Sequence, residues 1–348
     1  MLCDCSKLIQ FVTDIGTTLG MSQKEAAVFG ESLVFADMRG LSSHGVMRMS
    51  TYVKRIQEGL VHINVTPQIT KDGGAMIAVD GANGQGAYIS QQVMEICVQR
   101  AKDIGVCMAF VNNCNHFGCS AYFTEYAALH NMIGFAVTNS YRAVAPFGGS
   151  APLLGTNPLS LAIPGGKFKP FMLDMATSLV AQGKIILARK EGHDVPLGWG
   201  LDKNGTPSTD PNEILSGGTL LPFGGPKGYG IALAIEVLCA CIAGAAKSTE
   251  MGSMYNFERT QNTGFVIGAF DITKVVDIHE FNEAVSQLFD DIKSSPKAAG
   301  VSEIYIPGEI ENRKFAKAES EGLDLSAAVI SELCDIAANL NVEFNCAK

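Results

Sequence analysis

Charge is scarce in this sequence. Only 18% of its 348 residues are Asp, Glu, Lys or Arg, against about 25% in an average soluble chain, so a buried subunit interface is expected to take up part of the apolar surface. The charge that is present leans acidic, at −9 net, and no run is rich in Lys or Arg. Both facts argue against a nucleic-acid partner. No signal-peptide pattern opens the chain, and several of its ten cysteines fall in apolar segments, among them Cys97, Cys107, Cys239 and Cys241. They read as reduced thiols of a cytoplasmic protein. Cys3/Cys5 and Cys239/Cys241 are too closely spaced for a zinc site, so no metal is expected. No internal repeat or low-complexity linker appears. The apolar stretch 229–246 approaches the lower length limit for a membrane span, but Glu236 in its middle favours a core or interface helix, and no membrane partner is expected.

What is there centres on Asp37 to Tyr52, Asp-Met-Arg-Gly-Leu-Ser-Ser-His-Gly-Val-Met-Arg-Met-Ser-Thr-Tyr. Gly40 suits the left-handed stop of one helix, and Ser42 or Ser43 can cap the next. A helix starting there puts His44, Arg48 and Tyr52 on one face. That face offers a proton carrier near neutral pH, a bidentate cation and a phenol, a set suited to an anionic, carboxylate-bearing substrate. The same spacing also fits a half-exposed helix with an ordinary histidine and a snorkelling arginine.

The length allows two domains or one large one. Helices are expected over 5–19 and 23–38, the second opened by the capping box Ser22–Glu25, and the helix carrying His44 runs to about Gly59. These belong to a helical unit, 1–72, packed with C-terminal helices in 310–348; residues 73–309 form an α/β region. A strand at Ala75–Asp80 leads into Gly81-Ala-Asn-Gly84-Gln-Gly86 and a helix. This resembles a dinucleotide fingerprint, but the order is G-x-x-G-x-G and the next strand, Val106–Asn112, ends without the acidic residue a ribose needs. A tight glycine turn into a packed helix is expected instead. His116, after that strand and before a helix over Ala121–Leu129, either serves chemistry or caps the helix. Strands follow at Ile133–Asn139, Leu159–Ile163 and Pro170–Leu173. The last ends at Asp174-Met-Ala-Thr-Ser178, able to bind a ribose or to cap a helix. Helix 183–191 and the turn-rich stretch 196–211 come next. Gly224-Gly-Pro-Lys227-Gly228 opens the apolar helix and can hold a phosphate, though it is no Walker loop. A strand at 264–270, a helix at 280–294, a strand running into a turn over 304–309 and helices at 311–321 and 325–340 complete the chain.

With those blocks in order, the chain resembles the malate/L-lactate dehydrogenase family over nearly its whole length. The resemblance rests on Asp37-x-Arg39-Gly40-x-x-Ser43-His44-Gly45-x-x-Arg48, Asn115-His116-Phe-Gly118, Ala145-Pro-Phe-Gly-Gly149 and Gly155-Thr-Asn-Pro158. It continues through Asp174-Met-Ala-Thr-Ser178, Gly225-Pro-Lys-Gly-Tyr229 and Pro307-Gly308-Glu309. The ureidoglycolate dehydrogenase branch matches best in length and register. The resemblance implies an α/β, non-Rossmann dehydrogenase fold, NAD as cofactor with NADP possible, and a homodimer or larger homo-oligomer. By carry-over it makes His116 the acid/base, His44 its partner on the substrate oxygen, and Arg48 the carboxylate holder; one branch of the family instead gives the proton donor to the position of His44. Ser43 and Tyr52 join the substrate site, and Arg142 is a candidate second cation for malate or sulfolactate. Ser140, Asp174, Met175, Ala176, Lys227, Gly228, Pro307 and Gly308 match cofactor contacts. The substrate class implied is a small 2-hydroxy or 2-oxo acid, malate, sulfolactate, lactate or ureidoglycolate, with a cyclic imine or diketo acid as the alternative. A metal-dependent hydrolase or lyase built on His44, His116 and Asp174, or a non-catalytic interaction protein, would read the same residues without nucleotide.

Overall fold

The structure, a computed structural model, describes residues 1–348, the side chain at position 190 excepted. A short strand, β1 (Leu2–Cys3), precedes helices α1 (Cys5–Thr18) and α2 (Gln23–Met38). Asp4 caps α1 by accepting the Lys7 N–H at 2.9 Å, and Ser22 caps α2 by accepting the Glu25 N–H at 3.3 Å. The expected capping box is only half made. Glu25 turns its carboxylate to the Asn64 N–H at 2.7 Å, and the Ser22 N–H donates to Asn64 Oδ1 at 2.6 Å. The start of α2 is thereby tied to the segment entering the sheet.

The single helix expected to carry His44, Arg48 and Tyr52 does not form. Two short 3-10 turns, Ser42–His44 and Val46–Arg48, meet at Gly45 before α3 (Met49–Gln57) begins, and neither Ser42 nor Ser43 caps through its side chain. The cause lies beneath them. Gly40 does take φ +76° to end α2, but the Asp37 carboxylate then accepts the Val46 N–H at 2.8 Å. A Cβ at position 45 would lie 2.2 Å from that carboxylate, so glycine is what lets the chain fold over Asp37. Burial pushes the Asp37 carboxyl up to about 7, with the Val46 bond opposing.

In chain order there follow β2 (Gln68–Asp72), β3 (Met76–Gly84), α4 (Gly86–Ile104), β4 (Val106–Cys114), α5 (Ser120–Leu129), β5 (Met132–Thr138), β6 (Leu159–Ile163) and β7 (Phe171–Met175). Then come α6 (Gln182–Glu191), β8 (Gly200–Leu201), β9 (Pro207–Ser208), α7 (Pro211–Leu215), β10 (Thr219–Leu220), α8 (Pro226–Glu236) and β11 (Thr263–Asp271). Helices α9 (Ile278–Ser294) and α10 (Glu309–Glu321), strand β12 (Leu323–Asp324) and α11 (Ala327–Leu340) end the chain.

Seven strands form one mixed sheet in the order β2-β3-β4-β11-β5-β6-β7. β3 and β4 are parallel, and β11 is antiparallel to both β4 and β5, as β6 is to β5 and β7. Strands β3, β4, β5 and β7 therefore point one way, and their carboxyl ends share one edge of the sheet. Helices α4 and α5 cover a core of Val93, Met94, Cys97, Phe123, Val111 and Phe265. A separate core joins the N-terminal helices to the C-terminal ones through Leu8, Phe11, Leu33, Met49, Leu333 and Ile336.

Three sequence expectations are corrected here. β2, read as part of the helical unit, pairs with β3. The glycine turn at 81–86 is a strand end: β3 runs to Gly84 with Ala82 and Asn83 at φ +53° and +52°, and Gln85 caps α4. Residues 304–309 make no strand; the Met172 N–H donates to the Pro307 carbonyl at 2.9 Å and no ladder extends from it. The turn-rich stretch after Pro196 also holds a small sheet, β10-β8-β9, which the sequence did not signal.

The apolar helix is α8 followed by a π-helical turn, Val237–Ile242. Among the described residues no helix is long and apolar enough to cross a membrane. Glu236, 8% exposed, accepts the Ser248 N–H and the Ser248 hydroxyl, both at 2.6 Å, and Asn157 Nδ2 at 3.0 Å. All three partners are donors, so both carboxylate oxygens are used as acceptors. Glu236→Gln turns one of those oxygens into an amide donor facing donors, and is expected to destabilise the fold by about 1–3 kcal/mol. A urea midpoint matching the wild type would rule this out.

Candidate active site

The carboxyl ends of parallel strands are where open α/β sheets bind ligands. His116 lies just beyond the last residue of β4. Its loop is held from three sides: Asn115 Nδ2 donates to the carbonyls of Asn83 and Gly84, both at 2.9 Å, and the His116 N–H donates to Gln261 Oε1 at 3.1 Å. A Cβ on Gly86 would stand 2.4 Å from the carbonyl oxygens of both Asn115 and His116. The third glycine of the decoy motif thus lets this loop rest on the start of α4.

The broken helix brings the other histidine to it. The His44 and His116 rings stack with centroids 5.7 Å apart and planes at 19°. Ser43 Oγ lies 2.9 Å from His44 Nδ1, and Tyr52 Oη lies 2.6 Å from His116 Nδ1. The sequence placed His44, Arg48 and Tyr52 on one helix face; the structure gathers the same side chains by folding the chain at Gly45. His116 and His44 are each half-buried.

Crowding by protein and by Arg48 keeps both rings neutral. Burial, then the Arg48 charge, lowers His44 from 6.5 to about 4. Burial, then His44 and Arg48, holds His116 well below its ordinary value. Burial raises the Tyr52 phenol, so it stays protonated. A 15N imidazole titration is expected to find His44 neutral through pH 5–8 and titrating near 4; a midpoint near 6.5 would contradict the crowded site. By linkage, the folded His44 resists a proton that the unfolded chain accepts, so its contribution to stability is present above pH 6.5 and lost as the pH falls toward 4.

Arg48 is fixed by its own neighbourhood. Nε donates to the Ser43 carbonyl at 2.6 Å, and Nη1 reaches Met254 Sδ at 3.8 Å and donates to Tyr255 Oη. Tyr255 is 207 positions away in the chain. No helical or strand period links such distant residues, which is why the sequence did not single it out; a polar and aromatic loop between apolar segments was the only signal.

Ser140, Asp174, Met175 and Ala176, matched to cofactor contacts, stand at or just past the carboxyl ends of β5 and β7. Ser140 Oγ accepts the Thr156 N–H at 3.0 Å, and Thr177 N–H donates to the Thr156 carbonyl at 2.8 Å. Asp174, half-buried on β7, accepts the Ala121 N–H at 2.9 Å and the Cys119 thiol at 3.3 Å through one oxygen. It therefore caps α5, which precedes it in sequence. Burial raises its carboxyl, the Ala121 bond opposing. Met175 and Ala176 continue that edge half-buried. The Phe223 N–H donates to the Thr177 carbonyl at 3.0 Å, bringing the start of α8 alongside, with Lys227 exposed and Gly228 buried. Gly228 cannot carry a side chain, because its Cβ would lie 2.3 Å from the Phe223 carbonyl. Gly308, at φ +95°, packs on Met172 beside Pro307. Arg142 stands apart: its side chain is exposed, and its recorded bond is from its backbone N–H to the Ser248 carbonyl. Among the described residues no group of three or more His, Cys, Asp or Glu is placed to hold a metal.

Comparison with known proteins adds the lineage. The L-sulfolactate dehydrogenase of Methanocaldococcus jannaschii is 38% identical over 96% of this chain and 96% of its own length. The malate dehydrogenase of Pyrococcus horikoshii is 35% identical over 97% and 95%. Ureidoglycolate dehydrogenase of Escherichia coli, the branch matched above by length and motif register, is 32% identical over 88% and 87%, lower than these two in identity and coverage. The solved structure of the Methanocaldococcus jannaschii sulfolactate dehydrogenase superposes with a TM-score of 0.92 at 36% identity, covering 99% of this chain and 98% of that one. The α/β fold is thus that of a known group of dehydrogenases. A family model described as malate/L-lactate dehydrogenase matches residues 3–334, and the chain belongs to that family of oxidoreductases.

Proposed function

We propose that this chain is a nicotinamide-dependent dehydrogenase of small 2-hydroxy acids of the malate and sulfolactate class, with NAD as its cofactor. The observation that carries the reading is the meeting of a hydrogen-bonded, neutral His116 with His44 and the Arg48 guanidinium at the carboxyl ends of the sheet. The greater identity to sulfolactate and malate dehydrogenases than to ureidoglycolate dehydrogenase supports the substrate class.

The proposed cofactor residues fit such a group. One oxygen of Asp174 is spent on α5, and the other has no recorded partner among the described residues, which leaves it for a ribose hydroxyl. Lys227 is exposed at the start of α8, where the Gly225 cap supplies no side chain, and suits a phosphate. Ser140, Met175, Ala176, Gly228, Pro307 and Gly308 line the remainder in this reading. When bound, nicotinamide accepts or returns a hydride at the substrate carbon.

The protein's own groups handle the proton. The Tyr52–His116 bond works in two directions because a phenol both donates and accepts. With Nδ1–H donating a hydrogen bond to the Tyr52 oxygen, Nε2 is bare and takes the proton of a substrate hydroxyl. With the phenol donating to Nδ1, Nε2 carries the proton and bonds a keto oxygen. The Gly118 N–H, 3.3 Å from Nδ1, favours the second arrangement. His44, oriented by Ser43, steadies the same oxygen, and Arg48 holds the carboxylate so that the reacting carbon is fixed.

A second copy of the chain is the proposed cover for Ile231, Leu233, Val237 and Ile242, all exposed on α8 and its π turn; sedimentation reads the mass. The reaction is tested at 340 nm with NAD and NADP against malate, lactate, sulfolactate and ureidoglycolate, and with the matching 2-oxo acids and reduced cofactors. Turnover of one pair supports the reading. Absence of turnover together with absence of nucleotide binding would sink it. An unchanged malate KM in Arg142→Ala would remove Arg142 as the candidate second cation.

A further inference from the structure

The segment 251–262 is anchored to both halves of the candidate site. Arg55, 1% exposed, reaches from α3 to donate to the carbonyls of Asn256 at 2.7 Å and Arg259 at 3.3 Å. Arg259 donates back to the Met251 carbonyl at 3.0 Å, and the Lys54 ammonium lies 4.2 Å from the centroid of the Phe257 ring. At its far end Gln261 takes the His116 N–H. The helix that carries Tyr52 and the loop that carries His116 are therefore bound to one segment.

Between these anchors stands Tyr255. Its hydroxyl oxygen accepts from Arg48 Nη1, and its ring centroid lies 5.6 Å from the guanidinium carbon, yet the residue is 55% exposed. Core packing does not explain a tyrosine so placed. Arg48 Nε is committed to the Ser43 carbonyl and Nη1 to Met254 Sδ and Tyr255 Oη, so the edge that carries Nη2 is what remains for an anion. The phenol sits beside that edge, and because its oxygen accepts from Nη1 its own proton is left to donate.

We propose that Tyr255 is a substrate-binding residue whose hydroxyl donates to the carboxylate held by Arg48, and that segment 251–262 thereby takes part in selecting the acid. The proposal rests on the 2-hydroxy-acid reading for the identity of that carboxylate. It gives the anion a cradle of one guanidinium edge and one phenol, Arg48 from the turn before α3 and Tyr255 from the segment before β11.

Tyr255→Phe keeps the ring over Arg48 and removes the donor. The expected result is a KM for the hydroxy acid raised about tenfold, in line with losing one hydrogen bond to a charged group, with kcat, Tm and the NADH dissociation constant unchanged. An unchanged KM overturns the proposal, and so does a joint fall of kcat and Tm, which would mark a structural role. A readout without turnover uses oxalate, titrated by calorimetry into the NADH-loaded protein. Tyr255→Phe is expected to weaken oxalate binding by a similar factor. If the wild type turns over no hydroxy acid but its oxalate affinity depends on Tyr255, the substrate reading fails and the cradle stands. Oxalate binding that is absent, or indifferent to Tyr255→Phe, overturns the cradle whatever the enzyme turns over.

Discussion

His116→Ala is expected to lower kcat by roughly two orders of magnitude or more, the usual consequence of removing a general acid/base. The expectation rests on position as well as residue type. His116 lies in the loop just past β4, is oriented by Tyr52 at 2.6 Å, and is held neutral by its surroundings. His44 is also neutral and stacks on it at 5.7 Å, so the two compete for the role. They differ in support: His44 is tied to the adjacent Ser43 at 2.9 Å, while His116 is tied to a buried phenol on another element. Steady-state kinetics on both alanine variants, with nucleotide affinity measured alongside, separate the candidates. A His116→Ala enzyme with kcat near the wild type would return the acid/base role to His44.

Arg48→Lys is expected to lower kcat/KM by about 10–100-fold, mostly through KM. A hydrogen bond to a charged group contributes about 1.5–3 kcal/mol, and each 1.36 kcal/mol is a factor of ten. Lysine keeps the positive charge near His44 and His116 and so leaves their protonation state alone. It cannot reproduce a fork that spends Nε on Ser43 at 2.6 Å while offering Nη1 and Nη2 elsewhere. The substitution therefore isolates geometry from charge. Equal kcat/KM for Arg48→Lys and wild type would mean that any cation at this position suffices; a kcat loss with KM unchanged would move Arg48 from carboxylate binding to the transition state.

Much of this molecule was legible in one dimension. Helices α1 and α2 announce themselves by their apolar patterns, α2 also by Ser22 and Glu25 at its start, and most strands of the sheet by short apolar runs with polar ends. Both are local effects, set by capping and by which face is buried. The motif Asp37 to Tyr52 was readable as a group of reactive side chains, though not in its true shape. Helical spacing takes no account of the Asp37 carboxylate, which breaks the helix at Gly45 from below. The glycine run Gly81–Gly86 was read as a turn into a packed helix, yet the purpose of Gly86 shows only where the His116 loop crosses it.

The sequence by itself determined most of the elements, the class of chemistry on offer and, through its ordered motifs, the family. The tertiary structure decided which groups meet. It stacked His44 on His116, made Asp174 the cap of a helix that precedes it, gave Glu236 its donors, and laid Tyr255 on Arg48. The physical reason is range: capping and hydrophobic periodicity act within a few residues, whereas a hydrogen bond across 207 positions exists only once the sheet and the helices around α3 have packed.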